Sequence, residues 1–99
     1  DSFNNGMYMA RMPIPYPKGR SNYKLKKFVG VQCMSKEALK FIHETPRGEI
    51  EQIEDIDEFR IMENGKKLKF VMTDSDTISV DDKKDLERVR MIMADRLGI

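Results

Sequence analysis

Chemistry in this chain would have to come from its carboxylates and arginines. Asp74, Asp76, Asp81, Asp82 and Asp85 crowd the segment TDSDTISVDDKKDLERV. Such a group can start a helix, because acids accept from free amides and complement the positive end of the helix dipole. It can equally hold a hard divalent ion, since Mg²⁺ takes one or two carboxylates plus phosphate oxygens. Asp81 carries both readings: cap of the following helix, with Asp82 and Asp85 in its first turn, or metal ligand. A second acidic set, Glu51, Glu54, Asp55 and Glu58, falls at i, i+3, i+4 and i+7, which would place all four on one helix stripe. That stripe is either a solvated face or a site for a cation or polyhydroxyl ligand. Arg47 and Arg60 can neutralise it or clamp an acidic substrate bidentately, and Arg11 could clamp a carboxylate or phosphate.

Other chemistries find no support. No nucleophile–His–acid arrangement is visible, no CxxC or HExxH spacing suggests zinc, and the Pro17–Asn22 stretch PKGRSN lacks the strand–turn–helix setting of a phosphate loop. His43 reads as a helix C-terminal contact. Cys33 stands alone, so no internal disulfide forms, and a reducing cytoplasm is the expected compartment. A net charge of +1 gives no overall basic excess for nucleic acid or membrane.

The elements that must position these groups follow from periodicity. Met7–Arg11, Val29–Cys33 and Leu68–Met72 alternate as strands would. Pro13, Pro15 and Pro17 make the intervening segment an extended loop or edge, since proline donates nothing to a ladder. Ser35 is the expected N-cap of a helix running to about His43. A second helix is expected over 49–64, with Ile50, Ile53, Ile56 and Phe59 on its buried side and Asn64-Gly65 as its stop. A third should run from about Asp82 to Arg96. Three to four strands among three helices predict an α/β layered fold. With 39% apolar and 35% charged residues, one globular domain is expected, too short of apolar runs for a membrane span. The chain lacks both an initiator Met and a signal peptide, so it is expected to start inside a longer protein.

Three segments together resemble one family. MYMARMPIP, TPRGEIEQIEDIDEFRIMENG and SVDDKKDLERV are similar in order and spacing to the C-terminal half of the acid-sugar cytidylyltransferases, with 3-deoxy-manno-octulosonate (Kdo) cytidylyltransferase as the nearest type. The family reads "SR-x-PIP", then "P-x-x-LE-x-x-E-x-LE-x-LR-x-x-x-x-G", then "VDTPEDLERV". The resemblance implies a nucleotide-diphospho-sugar transferase-like, Rossmann-like fold and transfer of CMP from CTP to an acidic sugar, with Mg²⁺ and release of pyrophosphate. It implies that Asp81 binds the metal and that Arg11 is catalytic and substrate-binding. Glu51, Glu54 and Arg60 would face or support the sugar pocket, and a homodimer would form through this half.

The sequence also departs from the pattern. The family's "H-x-G-x-Y" is replaced by Phe28, Gly30 and Gln32, which leaves Gln32 as the expected sugar contact and opens the acceptor to another acid sugar. Ala10 replaces serine, Glu58 replaces glutamine, and Asp82-Lys83-Lys84 replaces "TPE". The Gly/Arg/Lys phosphate loop and the second metal aspartate of the N-terminal half do not occur here, so residues 1–99 are expected to be the sugar-binding, dimerising half, inactive alone. Two other readings stay open: a non-enzymatic α/β interaction domain, and a cytidylyltransferase for a phosphonate or other acidic acceptor.

Overall fold

A computed structural model describes residues 1–19, 22–74 and 77–99. Asp76 of the aspartate segment, and Arg20 and Ser21 of the Pro17–Asn22 stretch, lie outside them. The described residues form four helices: α1 (Lys36–Glu44), α2 (Glu49–Glu54), α3 (Phe59–Glu63) and α4 (Lys83–Leu97).

The expected α/β layering is overturned: the described residues contain no sheet. Strand-like pairing is confined to one antiparallel bridge, Asn5 with Lys69. Around it the Gly6 amide donates to Leu68 O at 2.8 Å and the Phe70 amide to Asn4 O at 2.8 Å. The alternating segments lack ladder partners, and a lone pair of strands is marginal in water. Pro13, Pro15 and Pro17 withdraw three donors from one edge. In the Val29–Cys33 segment the Val31 amide turns back to Val29 O at 2.7 Å, a γ-turn instead of a ladder, and Val31 is 84% exposed.

Two helices match their local signals. Ser35 Oγ accepts from the Ala38 amide at 3.1 Å, opening α1. At α4 the cap is Asp82, not Asp81: the Asp85 amide donates to Asp82 Oδ1 at 2.9 Å, and Asp85 Oδ2 accepts from the Asp82 amide at 3.3 Å. This reciprocal box satisfies two orphan donors. Gly98 closes the helix in the left-handed region at φ 68°, with the Ile99 amide reaching back to Ala94 O.

The helix expected over 49–64 is instead broken in two. Asp55 adopts φ 52°, ψ 50°, a left-handed conformation that Asp tolerates better than most residues. The chain then re-enters helix at Phe59 through i→i+3 bonds, Phe59 N–H to Ile56 O and Arg60 N–H to Asp57 O. The break changes which side chains are covered. Ile53, expected inside, is 76% exposed, while Phe59 at 2% and Ile61 at 7% form the buried apolar core of the described residues. Tyr8 meets Phe59 edge-on at 4.9 Å, which pins the N-terminal segment to α3. Gly6 lies against Phe70 so closely that a Cβ would stand 2.6 Å from the ring.

The core is small for the chain. A radius of gyration of 16.9 Å exceeds the ~13 Å of a compact domain of this length. Met7, Met12, Tyr16, Leu39, Met72, Met91 and Leu97 are among the large apolar residues left exposed. Among the described residues, no helix is long and apolar enough to cross a membrane.

Candidate functional site

The best-built part of the molecule is the polar hub between α2 and α3. Glu51 is 1% exposed, and its carboxylate is fully engaged. Arg60 approaches in the two-pronged mode, Nε to Oε2 at 2.9 Å and Nη2 to Oε1 at 2.5 Å. Arg47 Nε adds a bond to Oε1 at 3.0 Å. Burying a carboxylate is costly unless charge and hydrogen bonds compensate; here two guanidiniums do so. The bonds from Arg60, followed by those from Arg47, hold the Glu51 carboxyl below the ordinary carboxylate range despite its burial. The arginines are shifted upward in turn, Arg60 by Glu51 and Arg47 first by Asp55 and then by Glu51. Arg60 also donates through Nη1 to Ile42 O at 2.8 Å, tying α1 to the hub.

Arg11 joins the same hub from the N-terminal segment. Its Nε donates to Glu54 O at 2.5 Å, its Nη2 to Asp55 O at 2.7 Å, and its amide to Glu54 Oε2 at 3.1 Å. These are orphan carbonyls at the end of α2, where a cation also complements the helix dipole. Tyr8 Oη donates to Glu54 Oε1 at 3.1 Å; burial and the Glu54 carboxylate raise the Tyr8 hydroxyl pKa. Arg47 Nη2 reaches Asp55 Oδ1 at 2.7 Å, so the left-handed residue is clasped on both sides.

The structure thus brings Arg11, Glu51, Glu54 and Arg60 into one connected cluster. The expected single acidic stripe does not exist, because the turn at Asp55 separates its members. Glu58 is instead buried at the start of α3, 3% exposed, where Gln32 Nε2 donates to it. Desolvation, then the neighbouring Asp57, raises the Glu58 pKa. Gln32, expected to touch sugar, is engaged with this carboxylate. His43 occupies the last turn of α1 and Cys33 is exposed, not a core strand residue.

One residue that supports the hub carried no local signal. Glu63, at the end of α3, accepts from the Ile50 and Glu51 amides, each at 3.0 Å, and so caps the N-terminus of α2 in trans. Gly48 makes room for it: a Cβ there would collide with the Glu63 carboxyl. Capping boxes are read over three residues, whereas this contact spans twelve and thirteen.

Asp81 is exposed, and its amide donates to Asp85 Oδ2 at 3.2 Å. Among the described residues, no three His, Cys, Asp or Glu side chains gather as a metal cage. Mg²⁺ does not require one, because it keeps several waters and binds through one or two carboxylates together with substrate phosphates. Asp81 can offer one such carboxylate.

No family model matches the chain. Among curated proteins it is 32% identical over 98 residues to 3-deoxy-manno-octulosonate cytidylyltransferase of Chloroherpeton thalassium, covering 98% of this chain and 40% of that protein. It is 30% identical to the Parabacteroides distasonis protein of that name, covering 94% and 39%. An 8-amino-3,8-dideoxy-manno-octulosonate cytidylyltransferase of Shewanella frigidimarina is 27% identical, covering 95% and 38%. Over nearly all of its residues the chain is therefore similar to the 3-deoxy-manno-octulosonate cytidylyltransferases, along a stretch equal to about two fifths of their length.

Proposed function

We propose that this chain is the acid-sugar-handling part of a cytidylyltransferase that transfers CMP from CTP to a Kdo-like sugar acid and releases pyrophosphate. The carrying observation is similarity along almost the whole chain to proteins of that activity. The hub supports it further, since the first segment of resemblance (Tyr8, Arg11) is bonded directly to the second (Glu54, Asp55). The small core and open apolar surface suit a chain that packs against the rest of a longer protein.

In this reading the sugar hydroxyl attacks the α-phosphate in line. The new O–P bond forms as the bond to pyrophosphate breaks, and the hydroxyl proton is lost. Such transfer depends on positioning and charge neutralisation more than on covalent help from the protein. Asp81 would hold a Mg²⁺ ion, which neutralises phosphate charge when bound. Arg11 would sit near sugar and nucleotide, with Glu51, Glu54, Arg60 and Gln32 supporting the acceptor pocket. Arg60 and Glu51 do this by fixing the α2–α3 geometry, since each is already the other's partner. Catalysis by residues 1–99 alone is not expected, and a cytoplasmic homodimer is the natural setting.

Co-expression with the complementary portion of a relative tests this. CTP- and Kdo-dependent pyrophosphate release should appear with the wild-type chain and vanish with Asp81→Asn. Equal release from both versions would remove Asp81 from the metal site, and absence of release with any sugar acid would remove the assignment itself.

A further inference from the structure

The N-terminal third has a charge pattern that the sugar-transfer reading does not use. From Ser2 to Lys36 there is no Asp or Glu, while Arg11, Lys18, Arg20, Lys24, Lys26, Lys27 and Lys36 all lie there. The near-neutral total therefore hides a strongly basic segment. Arg11 is committed to the hub, and Lys27 donates to Thr77 O at 3.2 Å. Lys18 and Lys24 make no ion pair among the described residues.

These two lysines line one cleft of about 290 Å³ with Tyr16, Tyr23, Pro15 and Pro17. The prolines stiffen one wall, because their φ is fixed. Lysine ammoniums hold phosphate as point charges, and tyrosine faces accept a base by stacking. A volume near the ~300 Å³ lower end of ligand sites suits a single nucleotide. We propose that the Tyr16–Lys18 and Tyr23–Lys24 walls form a mononucleotide-binding cleft, phosphate on the lysines and base against the tyrosines. Among the described residues that line it there is no Asn, Gln, Asp or Glu to read a base edge, so it should accept purine and pyrimidine alike. The proposal stands apart from the sugar-transfer reading: the cleft can bind a nucleotide whether or not complementation succeeds.

The chain has three tyrosines, Tyr8, Tyr16 and Tyr23, so ring-labelled NMR supplies two reporters at the cleft and one, against Phe59, for the fold. Titration of the 99-residue chain with AMP should move Tyr16 and Tyr23 while Tyr8 stays in place. Binding should weaken at least tenfold in Lys18→Ala/Lys24→Ala, weaken similarly in Tyr16→Leu/Tyr23→Leu, and persist in Lys18→Arg/Lys24→Arg. Affinity should fall as salt rises, as phosphate contacts require. If pyrophosphate binds as tightly as AMP, or if the tyrosine double variant binds AMP normally, the region is a plain anion patch and the cleft assignment fails. It also fails if Tyr16 and Tyr23 do not move, or if Tyr8 moves with them.

Discussion

Arg60 and Glu51 form a two-pronged ion pair across the turn at Asp55, with N–O distances of 2.9 and 2.5 Å and the carboxylate buried to 1% exposure. The pair joins α2 to α3 where the chain would otherwise continue as one helix. Breaking a buried pair by removing one partner leaves an uncompensated charge and typically costs about 3–5 kcal/mol. Arg47 still serves Glu51, so Arg60→Met should sit near the bottom of that range, about 3 kcal/mol in denaturant unfolding. Arg60→Lys should recover only part, because an ammonium cannot make the planar fork. A loss under 0.5 kcal/mol in Arg60→Met, the usual range for surface changes, would mean the hub does not hold the helices together.

Glu51 and Glu58 should give stability an optimum in mild acid. Glu58 is raised in the folded state, chiefly by desolvation, so the folded chain takes up its proton first and stability rises as pH falls toward the ordinary Glu value near 4.3. Glu51 is lowered, chiefly by Arg60, so its contribution is present above that value and is lost as pH falls through its folded pKa. Thermal melts from pH 7 to 3 should show both limbs. Glu58→Gln should flatten the upper limb alone, and Glu51→Gln the lower alone; unchanged limbs would contradict the assignment.

Gly48 and Glu63 should behave as a coupled pair. Glu63→Ala removes the cap on α2 and should cost about 1 kcal/mol. Gly48→Ala should cost more in the wild-type chain than in the Glu63→Ala background, where the colliding carboxyl is gone. A double-mutant cycle measures this coupling, and additive losses would show that the two do not interact.

Asp82 and Asp81 should separate capping from any metal role. Asp82→Ala removes the α4 N-cap and should lower stability by about 1 kcal/mol, with faster amide exchange in the first turn. Asp81→Ala leaves that bond in place and should change stability by less than 0.5 kcal/mol. The reverse order would return the cap to Asp81.

What was legible in the residues alone was whatever a few neighbours decide. Ser35 and the positions after it set the start of α1, because caps are satisfied within three to five residues. The pairing of the MYMARMPIP and TPRGEIEQ segments with one family could also be read from order and spacing, and the relatives bear it out.

Tertiary contact decided the rest. Local propensity favoured one helix over 49–64, yet Arg47 and Arg11 clasp Asp55 from distant positions and stabilise a left-handed turn. With the helix broken there, Ile53 faces outward and Phe59 and Ile61 become the core. Alternation alone could not create a sheet, because strands need neighbours to supply their hydrogen bonds, and among the described residues only the Asn5–Lys69 bridge finds one. Glu63 reaches α2 only once α3 has folded back, and no spacing rule spans that distance.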